Sequence, residues 1–215
     1  SLSTYFILSG AASNVLAYSM DIDPVGNILL GGAMYTATDF DFGPGTATRT
    51  PSVGGDNFVA KYSNSGTFRW VAQLNGNPTA TRVGSLGNGG VVLSHRVQNQ
   101  ADTDPTSTVN TVTGYYRKNM MVMLLDSSGN YATHHIFGYN GNASTNVIKP
   151  SGTNDFYLGG AYGYYTDFDP GLAVDMRIAN SNRDAFIAKY SSLCAAPVQP
   201  ANINGSATPC QGATV

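Results

Sequence analysis

The sequence predicts an all-β protein assembled from tandem repeats, and three observations carry that prediction. The first is internal repetition. Gly31-Gly32, Asp39-Phe40-Asp41 and the run from Asp56 to Tyr62 recur at one constant offset as Gly159-Gly160, Asp167-Phe168-Asp169 and the run from Asp184 to Tyr190. Near the midpoint a worn third copy stands, with Asp102-Thr103-Asp104-Pro105 for the acidic pair, Asn119 to Leu125 for the second run, and Ser127-Ser128-Gly129 matching Asn64-Ser65-Gly66. A fixed period of this kind marks supersecondary units that bury their apolar faces against one another. The second observation is that all 13 acidic residues are Asp, so a good helix former, Glu, is missing entirely. The third is a content of 25 Gly, 13 Tyr and 9 Phe beside many Val and Thr, which suits short strands joined by tight turns.

Within the first copy, Val15 to Ser19 reads as a strand and Asp21 to Asn27 as a turn, because Asp, Pro, Gly and Asn each favour turn dihedrals. Ile28 to Tyr35 is the second strand, and its paired glycines mark a close approach by another backbone or a ring. The acidic loop and a polar connection follow. Asn57 to Tyr62 is the third strand, Asn64-Ser65-Gly66 a turn, and Phe68 to Leu74 the fourth strand. Four antiparallel strands repeated in tandem describe a β-propeller blade. The expected fold is therefore a β-propeller-like array of three four-stranded antiparallel blades of about 64 residues, at 14–76, 77–140 and 141–193. Residues 1–13 are expected to supply a leading fourth strand, since Thr4-Tyr5 and Ile7-Leu8 align with Thr67-Phe68 and Trp70-Val71. That strand either closes a ring by pairing with the last copy, or the chain is an arc of a larger propeller; such rings typically hold four to eight blades.

Composition excludes some classes. A net charge of −2 with 11 scattered Lys and Arg residues gives no footprint for nucleic acid. No apolar run approaches the roughly 18 residues of a membrane-spanning helix. The chain opens at Ser1-Leu2-Ser3 with no basic segment and apolar core, so any signal peptide is expected to have been removed or to lie outside the sequence. Cys194 and Cys210 both fall beyond the repeats, at a spacing that allows a local disulfide and fits a secreted protein; two free thiols are the other reading.

The repeat pattern resembles the bacterial β-propeller repeats, often called SBBP repeats, of large secreted proteins, especially the Bacteroidetes variety. Asp167-Phe168-Asp169-Pro170-Gly171 matches the acidic loop of that family in full, and Asp39-Phe40-Asp41 matches it with Phe42-Gly43 inserted before Pro44-Gly45. Asp56 to Lys61 and Asp184 to Lys189 match its Asp-x-Phe strand, and Arg69-Trp70 its Trp strand. The middle copy departs most, with Asn119 and Leu124 at the Asp and Lys positions. Residues 194–215 look like a linker and the opening of an immunoglobulin-like or PKD-like module. The resemblance implies a secreted or cell-surface protein, exported as cargo of type 9 secretion machinery and part of a longer chain. Its expected role is non-catalytic: adhesion, glycan or protein binding, or service as a spacer. The alternative is a secreted polysaccharide hydrolase or lyase that works through Asp residues.

Candidate sites are few. Asp39 with Asp41 and Asp167 with Asp169 are candidate calcium ligands, since carboxylates two apart in a Gly-containing loop can join backbone carbonyls around the ion; Asp102 with Asp104 is a weaker pair. The competing reading is turn capping by the same carboxylates. Lys61 and Lys189 are expected to pair with a neighbouring blade. Trp70, Tyr164 and Tyr165 are the candidate glycan-binding aromatics, with packing between blades as their other role. His134 and His135 would point to opposite faces of a strand, which spoils chelation. No nucleophile elbow, phosphate loop or dinucleotide fingerprint is present.

Overall fold

The computed structural model describes residues 5–8, 14–75, 78–97, 100–102, 104–105, 111–113, 119–137, 142–169, 171 and 173–191. All regular structure in them is β, with no helix, so none is long and apolar enough to cross a membrane. Six strands form the first unit: β1 (Val15–Ile22), β2 (Ile28–Met34), β3 (Thr38–Asp39), β4 (Thr48–Arg49), β5 (Asp56–Tyr62) and β6 (Phe68–Leu74). The second repeats the layout with β7 (Arg82–Ser85), β8 (Val91–Val97), β9 (Gln100–Asp102), β10 (Thr111–Thr113), β11 (Asn119–Leu125) and β12 (Tyr131–Phe137). The third comprises β13 (Asn142–Ser151), β14 (Asp155–Gly163), β15 (Tyr165–Asp167), β16 (Met176–Ile178) and β17 (Asp184–Ser191).

The main sheets run β1-β2-β5-β6, β7-β8-β11-β12 and β13-β14-β17, every pair antiparallel. Two are four-stranded as expected, and the third is three-stranded in the described residues. Each unit also holds a two-stranded ribbon absent from the sequence reading: β3-β4, β9-β10 and β15-β16. The hairpin turns recur at Gly26, Gly89 and Gly152 and at Gly66 and Gly129, all with φ between +82° and +89°. Glycine adopts that backbone without a Cβ penalty, which is why it punctuates each hairpin.

Successive sheets stack face to face. Leu29, Val59, Ala72 and Leu74 of the first sheet bury against Val83, Leu93, Met121 and Met123 of the second. The other face of the second, through Val92, Met120 and Val122, buries against Ala143, Phe156 and Leu158 of the third. Backbone-to-side-chain bonds step across at the repeat period: Val83 N–H donates to Ser19 Oγ at 2.8 Å and Ser85 N–H to Asp21 Oδ2 at 2.8 Å, each 64 residues apart. The Asp21 bond explains why β1 continues to Ile22, through residues expected to turn.

Residues 5–8 form no strand. They do not pair with the third sheet to close a ring. Phe6 instead stacks on Phe42 at 5.2 Å and covers the Gly66 turn of the first sheet. Trp70, one position on from the residue that aligns with Phe6, covers the Gly129 turn of the second sheet in the same way.

Candidate functional site

A cleft of about 650 Å³ opens between the first two sheets, at their turn end. Its walls are the β1-β2 turn with Asp23 and Asn27, Arg69-Trp70 of β6, the β7-β8 turn around Asn88, and Ser127-Ser128 of the β11-β12 turn. Lys61, projecting from β5, pairs at the base with Asp23 at 2.9 Å, and both side chains are almost wholly buried. Burial works to raise the Asp23 carboxyl, but hydrogen bonds from Asn27 and from Lys61 outweigh it and hold the group below its ordinary value. Asp23 also accepts the backbone N–H groups of Val25 at 3.0 Å and Asn27 at 2.7 Å, which fixes the turn.

Trp70 forms the aromatic wall. Its indole N–H donates to the Ser127 carbonyl at 3.1 Å, and its ring lies where a Cβ on Gly129 would be, so only glycine fits beneath it. The Ser127 carbonyl also takes a long bond from Lys61 at 3.4 Å. That turn is itself held by Asp126, which accepts Ser128 N–H at 2.8 Å and Asn130 N–H at 2.9 Å. The cleft is thus a rigid aromatic and amide-rich surface whose one carboxylate is engaged by a lysine. It offers stacking and hydrogen bonding and contains no pair of carboxylates poised as acid and base.

Other expected residues lie elsewhere. Tyr164 and Tyr165 are about half exposed on the third unit and do not line this cleft; Tyr164 holds a positive φ of 59°, with its carbonyl accepting Ala179 N–H at 2.9 Å. Asp39 accepts Asp41 N–H at 3.1 Å and Ala47 N–H at 2.8 Å, while Asp41 accepts Gly43 N–H at 2.7 Å. Asp167 mirrors Asp39 through Asp169 N–H at 3.0 Å and Asp175 N–H at 2.9 Å. These carboxylates close the β3-β4 and β15-β16 ribbons. Among the described residues no three His, Cys or Asp side chains gather as a metal site. Asp102 ends β9 with its side chain outside the described part, and Cys194 and Cys210 lie outside the described residues altogether.

Lys61 and Lys189 pair within their own sheets rather than with a neighbour. Lys189 meets Asp155 at 2.7 Å, an acid from the start of β14, whereas Lys61 takes Asp23 from the turn before β2. The Asp residues that open β5 and β17 secure the preceding loops, Asp56 through Ser52 N–H at 2.9 Å and Asp184 through Asn180 N–H at 2.9 Å. His134 and His135 oppose Met123 and Val122 across β11, and the Tyr131 hydroxyl lies 2.7 Å from His134 Nδ1. Compared with known protein families, curated proteins and solved structures, the chain matches none.

Proposed function

We propose that the chain is a non-catalytic β-propeller module, an arc of a larger ring, that presents the Trp70 cleft to a glycan or protein ligand on a secreted or cell-surface protein. The observation that carries the binding reading is the cleft itself: an indole held by the Ser127 carbonyl faces a rim of Asn27, Asn88, Ser128 and Arg69. An amphipathic ring beside amide and hydroxyl groups suits the apolar face and hydroxyl edge of a sugar. Lys61 neutralises Asp23 beneath it, which argues against hydrolysis through that carboxylate.

The arc reading draws support from faces that are equivalent in the repeats but differently covered. Val59 and Leu29 are fully buried by the second sheet, while their counterparts in the third copy, Ile187 and Tyr157, are 86% and 40% exposed. At the opposite end, Met20 and Ile22 of β1 are exposed as well. The extracellular setting rests on the resemblance of the acidic loops and Asp-x-Phe strands to the repeats of secreted proteins.

The test is a glycan array paired with a depolymerisation assay, using the parent chain and the Trp70→Ala and Asn88→Ala variants. Binding that both substitutions weaken, without product release, is the expected result. Release of reducing ends would replace this reading with the enzyme alternative, and binding indifferent to both variants would remove the cleft from it.

A further inference from the structure

A second pocket, of about 280 Å³, lies where the end of β8 meets the start of β13, away from the Trp70 cleft. It is lined by Thr79, Ser94, His95, Arg96, Ser144, Thr145 and Asn146. Three of these polar side chains, those of Ser94, Ser144 and Thr145, belong to residues more than nine-tenths buried. Buried polar groups are ordinarily satisfied, and most here are. Ser94 Oγ donates to Thr145 Oγ1 at 2.9 Å, and Thr79 Oγ1 accepts the Arg96 N–H at 3.1 Å.

His95 is turned to the other face of β8, where its Nδ1 meets Asn57 Nδ2 of the first sheet at 3.3 Å and burial lowers its pKa to about 4, so the ring is neutral and adds no charge to the pocket.

Charge at the pocket comes from two arginines. Arg96 is held below its ordinary value by burial first and by the nearby Arg183 second. Arg183 reaches the pocket wall through a long bond to Ser144 Oγ at 3.4 Å. The ion pairs of the described residues involve Lys61, Arg177 and Lys189, and leave both of these arginines without a carboxylate. A guanidinium in the wall and a second bonded to its Ser144 rim, beside buried hydroxyls, make a cationic, donor-rich cavity. Arginine forks match oxyanions in geometry as well as charge.

We propose that this pocket binds a small oxyanion, the carboxylate or sulfate of an acidic sugar, between Arg96 and Arg183. Its size admits one charged group of a longer chain rather than an oligomer, near the lower end of ligand-pocket volumes. The site is independent of the Trp70 cleft and of the reading attached to it.

The experiment is calorimetric titration of the parent chain with sodium glucuronate and with sodium sulfate, each in sodium chloride of constant ionic strength, with glucose as the uncharged control. Saturable binding of one or both anions and none of glucose is expected. The two anions distinguish a carboxylate from a sulfate ligand. Arg96→Gln and Arg183→Gln should each weaken that binding tenfold or more, while Arg177→Gln and Trp70→Ala leave it unchanged. The Arg183 Nε–H resonance should shift on titration, a readout that needs no variant. Arg183 is exposed, so its variant reports even if Arg96→Gln impairs folding. Absence of saturable binding for both anions, or binding that Arg183→Gln leaves intact, would overturn the proposal.

Discussion

Arg82 Nε donates to the carbonyl of Asn146, 64 positions later in the chain, at 2.8 Å. Nη1 of the same guanidinium reaches Tyr18, 64 positions earlier, at 3.2 Å. Tyr18 and Asn146 are the residues passed over at the bulges of β1 and β13, between Ala17 and Ser19 and between Thr145 and Val147. A bulge leaves its extra residue outside the ladder. Arg82 supplies the missing donor to both carbonyls and so ties all three sheets at one point.

Arg82→Ala should therefore lower stability by about 1.5–3 kcal/mol, the range for hydrogen bonds to a charged group. Arg82→Lys should recover less than half of that loss, because an ammonium cannot fork toward two carbonyls on opposite sides. Urea unfolding midpoints of the three proteins measure both effects. Equal midpoints would show that the bridge contributes nothing.

The Asp23–Lys61 pair has an apolar counterpart in the second sheet, where Leu86 and Leu124 occupy the corresponding positions and pack into the core beside Val122. Lys61→Leu alone strands a buried carboxylate and should cost about 3–5 kcal/mol. Adding Asp23→Leu should reduce the loss to about 1–2 kcal/mol, the remaining cost being the two N–H bonds of the turn. Asp23 titrates below its unfolded value of about 3.9. Its contribution is thus present above that pH and lost as pH falls through the lower folded value. The gap between the parent and Lys61→Leu should narrow from pH 7 to pH 3 in urea titrations. A constant gap would contradict the pairing.

Equivalent positions on open and covered faces should respond differently to the same substitution. Val59→Asp places a charge between the first two sheets and should leave too little stability to fold, a loss above about 4 kcal/mol. Ile187→Asp, at a site 86% exposed, should stay within about 0.5 kcal/mol. Circular dichroism during urea titration decides the matter. A large loss at Ile187 would mean that its face is covered in solution.

Glycines separate the same way by surroundings. A Cβ on Gly32 would run into the Leu16 carbonyl oxygen and the Phe58 ring, neither of which can move without parting the strands. Gly32→Ala should cost about 3 kcal/mol or more. Gly26 faces open space, so Gly26→Ala carries only the strain of φ +89°, about 1–2 kcal/mol. Denaturation midpoints that fail to rank the two in this order would refute the close approach at Gly32.

The strands were legible wherever a repeated motif met a turn residue. Asn57 to Tyr62 and Phe68 to Leu74 fall within β5 and β6, and Gly26, Gly66 and Gly129 sit at the turns. The ribbons were not legible, because strands of two or three residues such as Thr38–Asp39 are too short to show alternation. The partners of Arg82 are backbone carbonyls and leave no trace in residue identity. Lys189 keeps its ion pair although the acid has moved from the turn to Asp155, so a position-by-position comparison of the copies overlooks it. Of the Trp70 cleft, sequence named the indole but not its setting, since Asn88 and Ser127 come from a different sheet.

The acidic loops supply the last prediction. Asp39 Oδ1 already accepts two backbone N–H groups, and those bonds, from Ala47 first and Asp41 second, hold its carboxyl below the ordinary range. A carboxylate occupied in this way closes the β3-β4 ribbon without a cation. Adding millimolar calcium should therefore leave the melting temperature unchanged, since a ligand raises stability only by binding the folded form. Asp39→Ala should lower the melting temperature equally with calcium and with chelator. The loss should exceed that of Asp41→Ala, which removes the single bond to Gly43 N–H. Because the folded pKa is lowered, the Asp39 contribution is present above the unfolded value of about 3.9 and fades as pH falls below it. A calcium-dependent rise in melting temperature that Asp39→Ala or Asp167→Ala abolishes would show that these loops hold an ion as well as a turn.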